Sequence, residues 1–296
     1  MAIKGVYAAS MSLISSDGYS LDIKATIKHA ENVVENGINV AMLGSTGQAQ
    51  LIGLSEKKNL IEELNESKIK NSSILIGTGL NSVKDNINLM KHSIKFGFNK
   101  FLVMNPAYFV NTDPGVYAFY SNIVQQVPEC EIILYNFSKL AAGYAFSTDI
   151  VEKLVNEYGT EKFLGMKDST KNLWNNLKIS NFSMFVGSEL NLLEGLNFGC
   201  AGCISATLNV NFYAKKVFDD FHNQKEQTVN KKMCDIRKAF DESGNLITAL
   251  HSFLSINDKN YKRLLPPLIL LPATKQKELL DKLKKINFIP NKNIAA

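Results

Sequence analysis

Arginine is almost missing from this chain: among 33 basic residues in 296, only Arg237 and Arg263 carry a guanidinium. A nucleic-acid surface gathers Lys and Arg on one face and uses the arginine fork on phosphates and base edges. Here the lysines are scattered and the net charge is +5, so nucleic acid is not an expected partner. Cysteine is scarce too, with only Cys130, Cys200, Cys203 and Cys234, which excludes a disulfide scaffold and suits a reducing compartment. No apolar run approaches the roughly 18 residues of a membrane span. The longest, Leu264 to Leu271, is broken by Pro266 and Pro267. The opening MAIKGVYAAS lacks the basic and apolar regions of a secretory signal, so the expectation is a soluble cytoplasmic protein with no membrane partner. His29, His92, His222 and His251 are scattered with no i, i+4 pairing, and no metal site is expected.

What is present is enough apolar material, 45% with a mean hydropathy of −0.06, to fill a large core; this excludes disorder. Short apolar runs alternate with longer amphipathic ones. The runs at 4–10, 38–45, 72–79, 100–106, 131–137, 163–169, 183–189 and 201–207 are strand candidates. Between them the pattern predicts helices over 22–36, 55–70, 81–96, 115–127, 148–158, 170–180 and 190–198, with Ser55 as an N-cap and Gly37 and Gly97 closing helices. Strand and helix in strict alternation require parallel strands with crossovers. Eight repeats in about 220 residues favour an α/β fold of the (β/α)8 barrel type over an open doubly wound sheet. Beyond residue 209 the pattern is helical only, over 209–230, 232–255 and 274–286. The expected organisation is a barrel over 1–224 and a C-terminal helical region over 225–296, suited to subunit packing.

In such a barrel the active site lies where the strands end. The second strand ends in Gly44-Ser45-Thr46-Gly47, a tight turn whose backbone N–H groups suit a carboxylate or phosphate oxygen. It is not a Walker loop, because no Gly-Lys-Ser/Thr follows. The fifth strand ends in Tyr135-Asn136 and the adjacent sixth in Met166-Lys167-Asp168, so a phenol and an amine should project toward one mouth. An ordinary lysine amine is neutral in only about one molecule in 2,500 at pH 7. A desolvated setting favours the free amine, which attacks ketones to give a Schiff base. The phenol can move protons to and from the carbinolamine, with Thr46 as relay. Cys200 and Cys203 have redox-motif spacing, but strand alternation among small neighbours reads as barrel wall.

GSTGQ at 44–48 with LSEKK at 54–58, NPAYFVNTDPGVYAFY at 105–120, YN at 135–136, GMKDST at 165–170 and GCAGCISATLNV at 199–210 follow one another in a familiar order and spacing. Together they resemble the signature of the N-acetylneuraminate lyase and dihydrodipicolinate synthase family, over essentially the whole chain. The resemblance implies metal-free, cofactor-free class I aldolase chemistry on a barrel, in homotetramers built as dimers of dimers. It implies that Lys167 forms the Schiff base with pyruvate, that Tyr135 is general acid and base, and that Ser45 and Thr46 hold the keto acid's carboxylate. Thr46 would bridge to Tyr108 in the neighbouring subunit's site, and the carbonyl of Ile204 would face the keto acid.

Departures from the pattern bear on substrate. Synthases carry an arginine shortly after the YN pair to bind the second substrate's carboxylate; here the stretch reads Phe137-Ser138-Lys139-Leu140-Ala141-Ala142-Gly143, and Lys139 offers a charge without a fork. Ala107 replaces the first tyrosine of the PYY of lysine-inhibited synthases. Sialate lyases place an acidic pair after the seventh strand, where Gly187-Ser188-Glu189-Leu190 keeps one carboxylate. Asp168 replaces the hydroxyl that follows the lysine in those lyases and resembles 2-keto-3-deoxy sugar acid aldolases. The expectation is a pyruvate-dependent aldolase or lyase acting on a small hydroxylated 2-keto acid, with Asp168 and Glu189 contacting substrate. The alternatives are 4-hydroxy-tetrahydrodipicolinate synthase, using pyruvate and aspartate semialdehyde, and N-acetylneuraminate lyase. A keto-acid-binding sensor on the same barrel would be expected to have lost Lys167 or Tyr135, and both are present.

Overall fold

The structure is a computed structural model and describes residues 3–289. Eight parallel strands, β1 (Gly5–Ala9), β2 (Asn39–Met42), β3 (Ile74–Gly77), β4 (Lys100–Met104), β5 (Glu131–Asn136), β6 (Phe163–Asp168), β7 (Ser183–Val186) and β8 (Gly202–Ser205), close in chain order, with β8 pairing back onto β1. The barrel expected from the alternation is therefore the observed fold. Side chains alternate across a strand, and the two sets serve two cores. Tyr7, Ala41, Leu75, Leu102, Ile133, Leu164, Phe185 and Ile204 fill the barrel interior. Val6, Val40, Ile76, Phe101, Leu134, Met166 and Val186 join the outer cluster. Close approach sets one residue type: a Cβ on Gly165 would stand 2.0 Å from the Ser183 carbonyl oxygen, where β7 runs against β6.

The outer layer is made by α1 (Ile23–Glu35), α2 (Leu54–Asn65), α3 (Val83–Lys95), α4 (Asp113–Gln126), α5 (Thr148–Tyr158), α6 (Leu192–Asn197) and α7 (Tyr213–His222). Gly37 and Gly97, both at φ 79°, close α1 and α3 as expected. Ser55 does not cap α2; that helix begins one residue earlier, from Gly53, and leaves the serine in its first turn. The helix expected over 170–180 does not form. Lys171 is left-handed at φ 63°, Asp168 accepts from the N–H and Oγ1 of Thr170, and Asn172 Nδ2 donates across to the Phe146 carbonyl, in place of a helical ladder. The long helices expected over 209–230 and 232–255 are each shorter. The second splits into α8 (Asn230–Asp241) and α9 (Leu246–Leu254), because Gly244 turns the chain at φ 107° and Asn245 caps α9 through the N–H groups of Ile247 and Thr248.

The C-terminal helices, with α10 (Ala273–Lys285) last, use their apolar faces on their own barrel. Ile236, Phe240, Leu250, Phe253, Leu279 and Leu283 pack with Met11 and Leu13 of the loop after β1. Polar ties reinforce the seam: Leu265 N donates to Gln48 Oε1 at 2.7 Å, and Arg263 Nε donates to the Ile14 carbonyl at 2.9 Å. His29 lies buried between Tyr261 Oη (2.7 Å) and Asn209 Oδ1 (2.8 Å), so its neutral tautomer donates to the amide and accepts from the phenol. His251 Nδ1 contacts the Tyr261 carbonyl at 3.0 Å, while its Nε2 has no hydrogen-bond partner among the described residues. A proton there would be buried without an acceptor. Among the described residues no helix is long and apolar enough to cross a membrane.

Burial, only partly opposed by the Tyr261 carbonyl, pushes His251 down to about 4, and burial lowers His29 as well. Both folded-state values lie below the ordinary histidine value, so the folded chain binds fewer protons and gains stability as pH rises. The contribution should be complete above about pH 6.5 and be lost toward pH 4, on the order of 3 kcal/mol for His251. Thermal midpoints measured from pH 7 to 4.5 should fall more steeply in the native chain than in His251→Asn; equal slopes would remove this histidine from the account.

Candidate active site

A cavity of about 650 Å³ opens at the C-terminal ends of the strands. Its floor carries Tyr135 from β5 and Lys167 from β6. Ser45 and Thr46 from the loop after β2 border it, Gly187 and Ser188 follow β7, and Arg237, Asp241 and the turn 244–247 come from α8 and α9. The helical tail thus supplies one wall of the site. This part of the arrangement was not visible in the strand-end motifs.

Tyr135 and Lys167 are register partners in the β5–β6 ladder, as are Asn136 and Asp168. Alternation then sends the first pair into the barrel and the second pair outward. The Lys167 Nζ sits 4.1 Å from the centroid of the Tyr135 ring. Lys167 is 5% exposed, and among the described residues it forms no ion pair.

Asp168 borders the cavity, but its carboxylate is engaged by the chain's own donors. Its carboxylate accepts from the N–H groups of Thr170 (2.9 Å), Leu173 (2.9 Å) and Trp174 (3.3 Å), from Thr170 Oγ1 (2.7 Å) and from Asn136 Nδ2 (3.1 Å). Asn136 Oδ1 in turn accepts from Phe146 N at 3.2 Å. The outward pair therefore locks the loops after β5 and β6, and with them the strand ends that carry Tyr135 and Lys167. Trp174, buried in this turn, packs edge-on against Phe198.

The 44–47 turn is shaped by contacts on both sides. Leu43 (φ 54°) and Gln48 (φ 57°) are left-handed, Gln48 N donates to the Ser45 carbonyl at 3.0 Å, and Ala49 N donates to that of Gly44 at 3.3 Å. At Gly47 a Cβ would meet the Ser10 carbonyl oxygen at 2.8 Å, so only glycine fits. A second buried lysine, Lys57, lies nearby in sequence, but its Nζ donates to the carbonyls of Thr78 (2.7 Å) and Gly79 (3.3 Å). Burial lowers it to about 8 against the pull of Asp85. It does not line the cavity, and its amine is held by backbone oxygens.

Glu189 also departs from expectation. It is fully buried, and its carboxylate accepts from Arg237 Nη1 at 2.9 Å, from Ser205 Oγ at 2.5 Å, from Asn211 Nδ2 at 3.3 Å and from Thr207 Oγ1. Four of the chain's groups thus surround it, and none of its surface is open to the cavity. Arg237 Nε then donates to both oxygens of Asp241 at 3.0 Å. Burial works against the guanidinium's charge, but Glu189 and Asp241 hold it firmly protonated. Burial raises the Asp241 carboxyl, with Arg237 pulling the other way. The sequence signal for this residue was an Arg-Asp i, i+4 pair set among the apolar positions Met233, Ile236 and Phe240 of α8.

Ile204 is buried in the barrel interior beside Tyr7, Phe185 and Tyr135 and does not form cavity wall. Tyr108 is far from buried: it is 87% exposed, left-handed at φ 82°, and stacks edge-on with Phe109 outside its own chain's cavity. Cys200 and Cys203 are buried and unpaired at β8, as barrel wall should be.

Residues 2–286 match the model of the dihydrodipicolinate synthetase family. The chain belongs to that family. Among relatives, a 4-hydroxy-tetrahydrodipicolinate synthase of Legionella pneumophila is 28% identical over 72% of this chain and 70% of its own length. A protein of Coccidioides immitis named as a mitochondrial 4-hydroxy-2-oxoglutarate aldolase is 25% identical over 79% of this chain and 76% of its own. The fold is shared with an Escherichia coli K12 prophage protein of the dihydrodipicolinic acid synthase family, crystallised with pyruvate. Its TM-score is 0.85 at 19% identity, over 96% of this chain and 99% of that one. As a dihydrodipicolinate synthetase family member, the chain is a pyruvate-dependent aldolase or lyase that works through a Schiff base.

The outward lock yields a direct prediction. Asn136→Ala should cost about 2 kcal/mol or more in urea unfolding, because it strips a donor from Asp168 and leaves Phe146 N unpaired. A loss below 0.5 kcal/mol (roughly the surface-substitution range) would mean that the strand ends are held by something else.

Proposed function

We propose that this chain cleaves or forms a small hydroxylated 2-keto acid, of the 2-keto-3-deoxy sugar acid type, with Lys167 as the Schiff-base residue. The observation that carries the reading is the Lys167 amine held 4.1 Å over the Tyr135 ring, on the floor of the cavity that Ser45 and Thr46 also line. Free Lys167 amine attacks the ketone carbon to give a carbinolamine. Tyr135 delivers the proton that lets hydroxide leave as water, and the iminium remains. Cleavage then breaks the C3–C4 bond. The C4 hydroxyl gives its proton to the phenolate, the aldehyde departs, and the bonding pair moves to the iminium nitrogen as an enamine. Protonation at C3 and hydrolysis return pyruvate and the amine; synthesis runs the same steps backward.

Ser45 and Thr46 support binding of the keto acid's carboxylate, the turn offering hydroxyls and backbone N–H groups at the barrel mouth. Thr46 also suits a proton relay from Tyr135. Tyr108, with Phe109 and Val110 at 77% and 84% exposure, presents an apolar patch that suits insertion into a neighbouring subunit. This fits a homotetramer in which Tyr108 completes the site of a dimer partner, with Ile204 contributing its carbonyl to the keto acid. The synthase alternative draws on the names of several relatives. Against it, no arginine follows the YN pair, and exposed Lys139 occupies that stretch.

Pyruvate with borohydride should add one reduced adduct, mapping to Lys167 and absent from Lys167→Ala; a native chain that gains no mass, or gains it on Lys57, overturns the assignment. Tyr135→Phe should retain pyruvate binding yet lose about a hundredfold or more in turnover. Turnover of pyruvate with aspartate semialdehyde that exceeds turnover with hydroxylated aldehydes would favour the synthase.

A further inference from the structure

The cavity is far larger than a three-carbon keto acid on Lys167 requires, and its far wall is made by α8 and the turn into α9. On that wall the guanidinium of Arg237 is clamped between Glu189, which is fully buried, and Asp241, whose side chain is 38% exposed. Asn245 borders the same space, but its side-chain oxygen is committed to capping α9. Asp241 is therefore the carboxylate of the trio that faces the cavity.

The charge balance decides what this wall accepts. Arg237 already faces two carboxylates, so an incoming substrate carboxylate would meet a neutralised cation and two like charges. Each such repulsion is strengthened by the half-buried setting. A hydroxyl pays no such penalty: it donates to Asp241 and accepts from the guanidinium. Lys139 and Lys171 stand exposed at the mouth, and their charges draw in the anionic keto acid without fixing its far end.

We propose that Asp241, oriented by Arg237 and through it by Glu189, is the specificity-determining residue that recognises a hydroxyl of the aldehyde partner. The acidic group that the loop after β7 loses to burial is thus replaced by one from the C-terminal helical region. Arg237 acts as a positioning residue, and Ser205, whose Oγ accepts from Arg237 Nη1 at 2.8 Å while donating to Glu189, completes the support.

This inference rests on the aldolase reading, and the experiment separates the two. The native chain and Asp241→Asn are compared for pyruvate trapping by borohydride, thermal midpoint, and condensation of pyruvate with glyceraldehyde, propanal and glyoxylate. Asp241→Asn keeps the shape and sits at a partly exposed position, so folding should be preserved. The expected result is unchanged trapping on Lys167, a tenfold or greater drop in kcat/KM for glyceraldehyde, and little change for propanal. Glyoxylate should be a poor partner for the native chain. An equal drop for glyceraldehyde and propanal, no drop at all, or a native preference for glyoxylate overturns the proposal. Failure of the native chain to trap pyruvate overturns the aldolase reading itself, and the proposal with it.

Discussion

The site depends on one register. Tyr135 stands opposite Lys167 across the β5–β6 ladder, and period-two alternation then fixes four side chains at once. The phenol and the amine meet inside the barrel; the amide of Asn136 and the carboxylate of Asp168 meet outside it. A slip of one residue would exchange the two pairs, putting the acid inside and the amine among the helices. Gly165, which admits the Ser183 backbone, keeps β7 close against β6 on the other side of the lysine. Chemistry on the inner face and mechanical support on the outer face are thus two consequences of the same pairing.

The barrel was legible because each repeat carries its own hydrophobic signature, and the strand-end motifs were legible because a parallel barrel gathers them on one face. Lys167, Tyr135, Ser45 and Thr46 do border one cavity. Asp168 and Glu189 share a difficulty: a charged residue next to a motif says nothing about which way its carboxylate turns. Both are buried acids satisfied by the chain's own donors. The segment 170–180 was misread because its apolar spacing suits a helix, while Asp168, Thr170 and Asn172 compete for the backbone through their side chains. Arg237 lies outside every strand-end motif, in the helical tail, and only packing of α8 over the mouth brings it to the cavity.

The shortage of arginine has a more specific meaning in the folded chain. One of the two guanidinium groups ties the tail to the loop after β1, and the other is held between two carboxylates at the cavity wall. Neither is a free fork for a substrate carboxylate. The tail is an integral part of the site, since its apolar face is spent on the barrel and its polar edge closes the pocket.

The most direct measurement of the central claim is a crystal structure of the chain with pyruvate. The account predicts continuous density from Lys167 Nζ to the keto carbon, with the carboxylate on the 45–46 turn and the Tyr135 hydroxyl within hydrogen-bond reach of the new C–N bond. Density bound to a different lysine, or pyruvate held without a covalent link to Lys167, would contradict it.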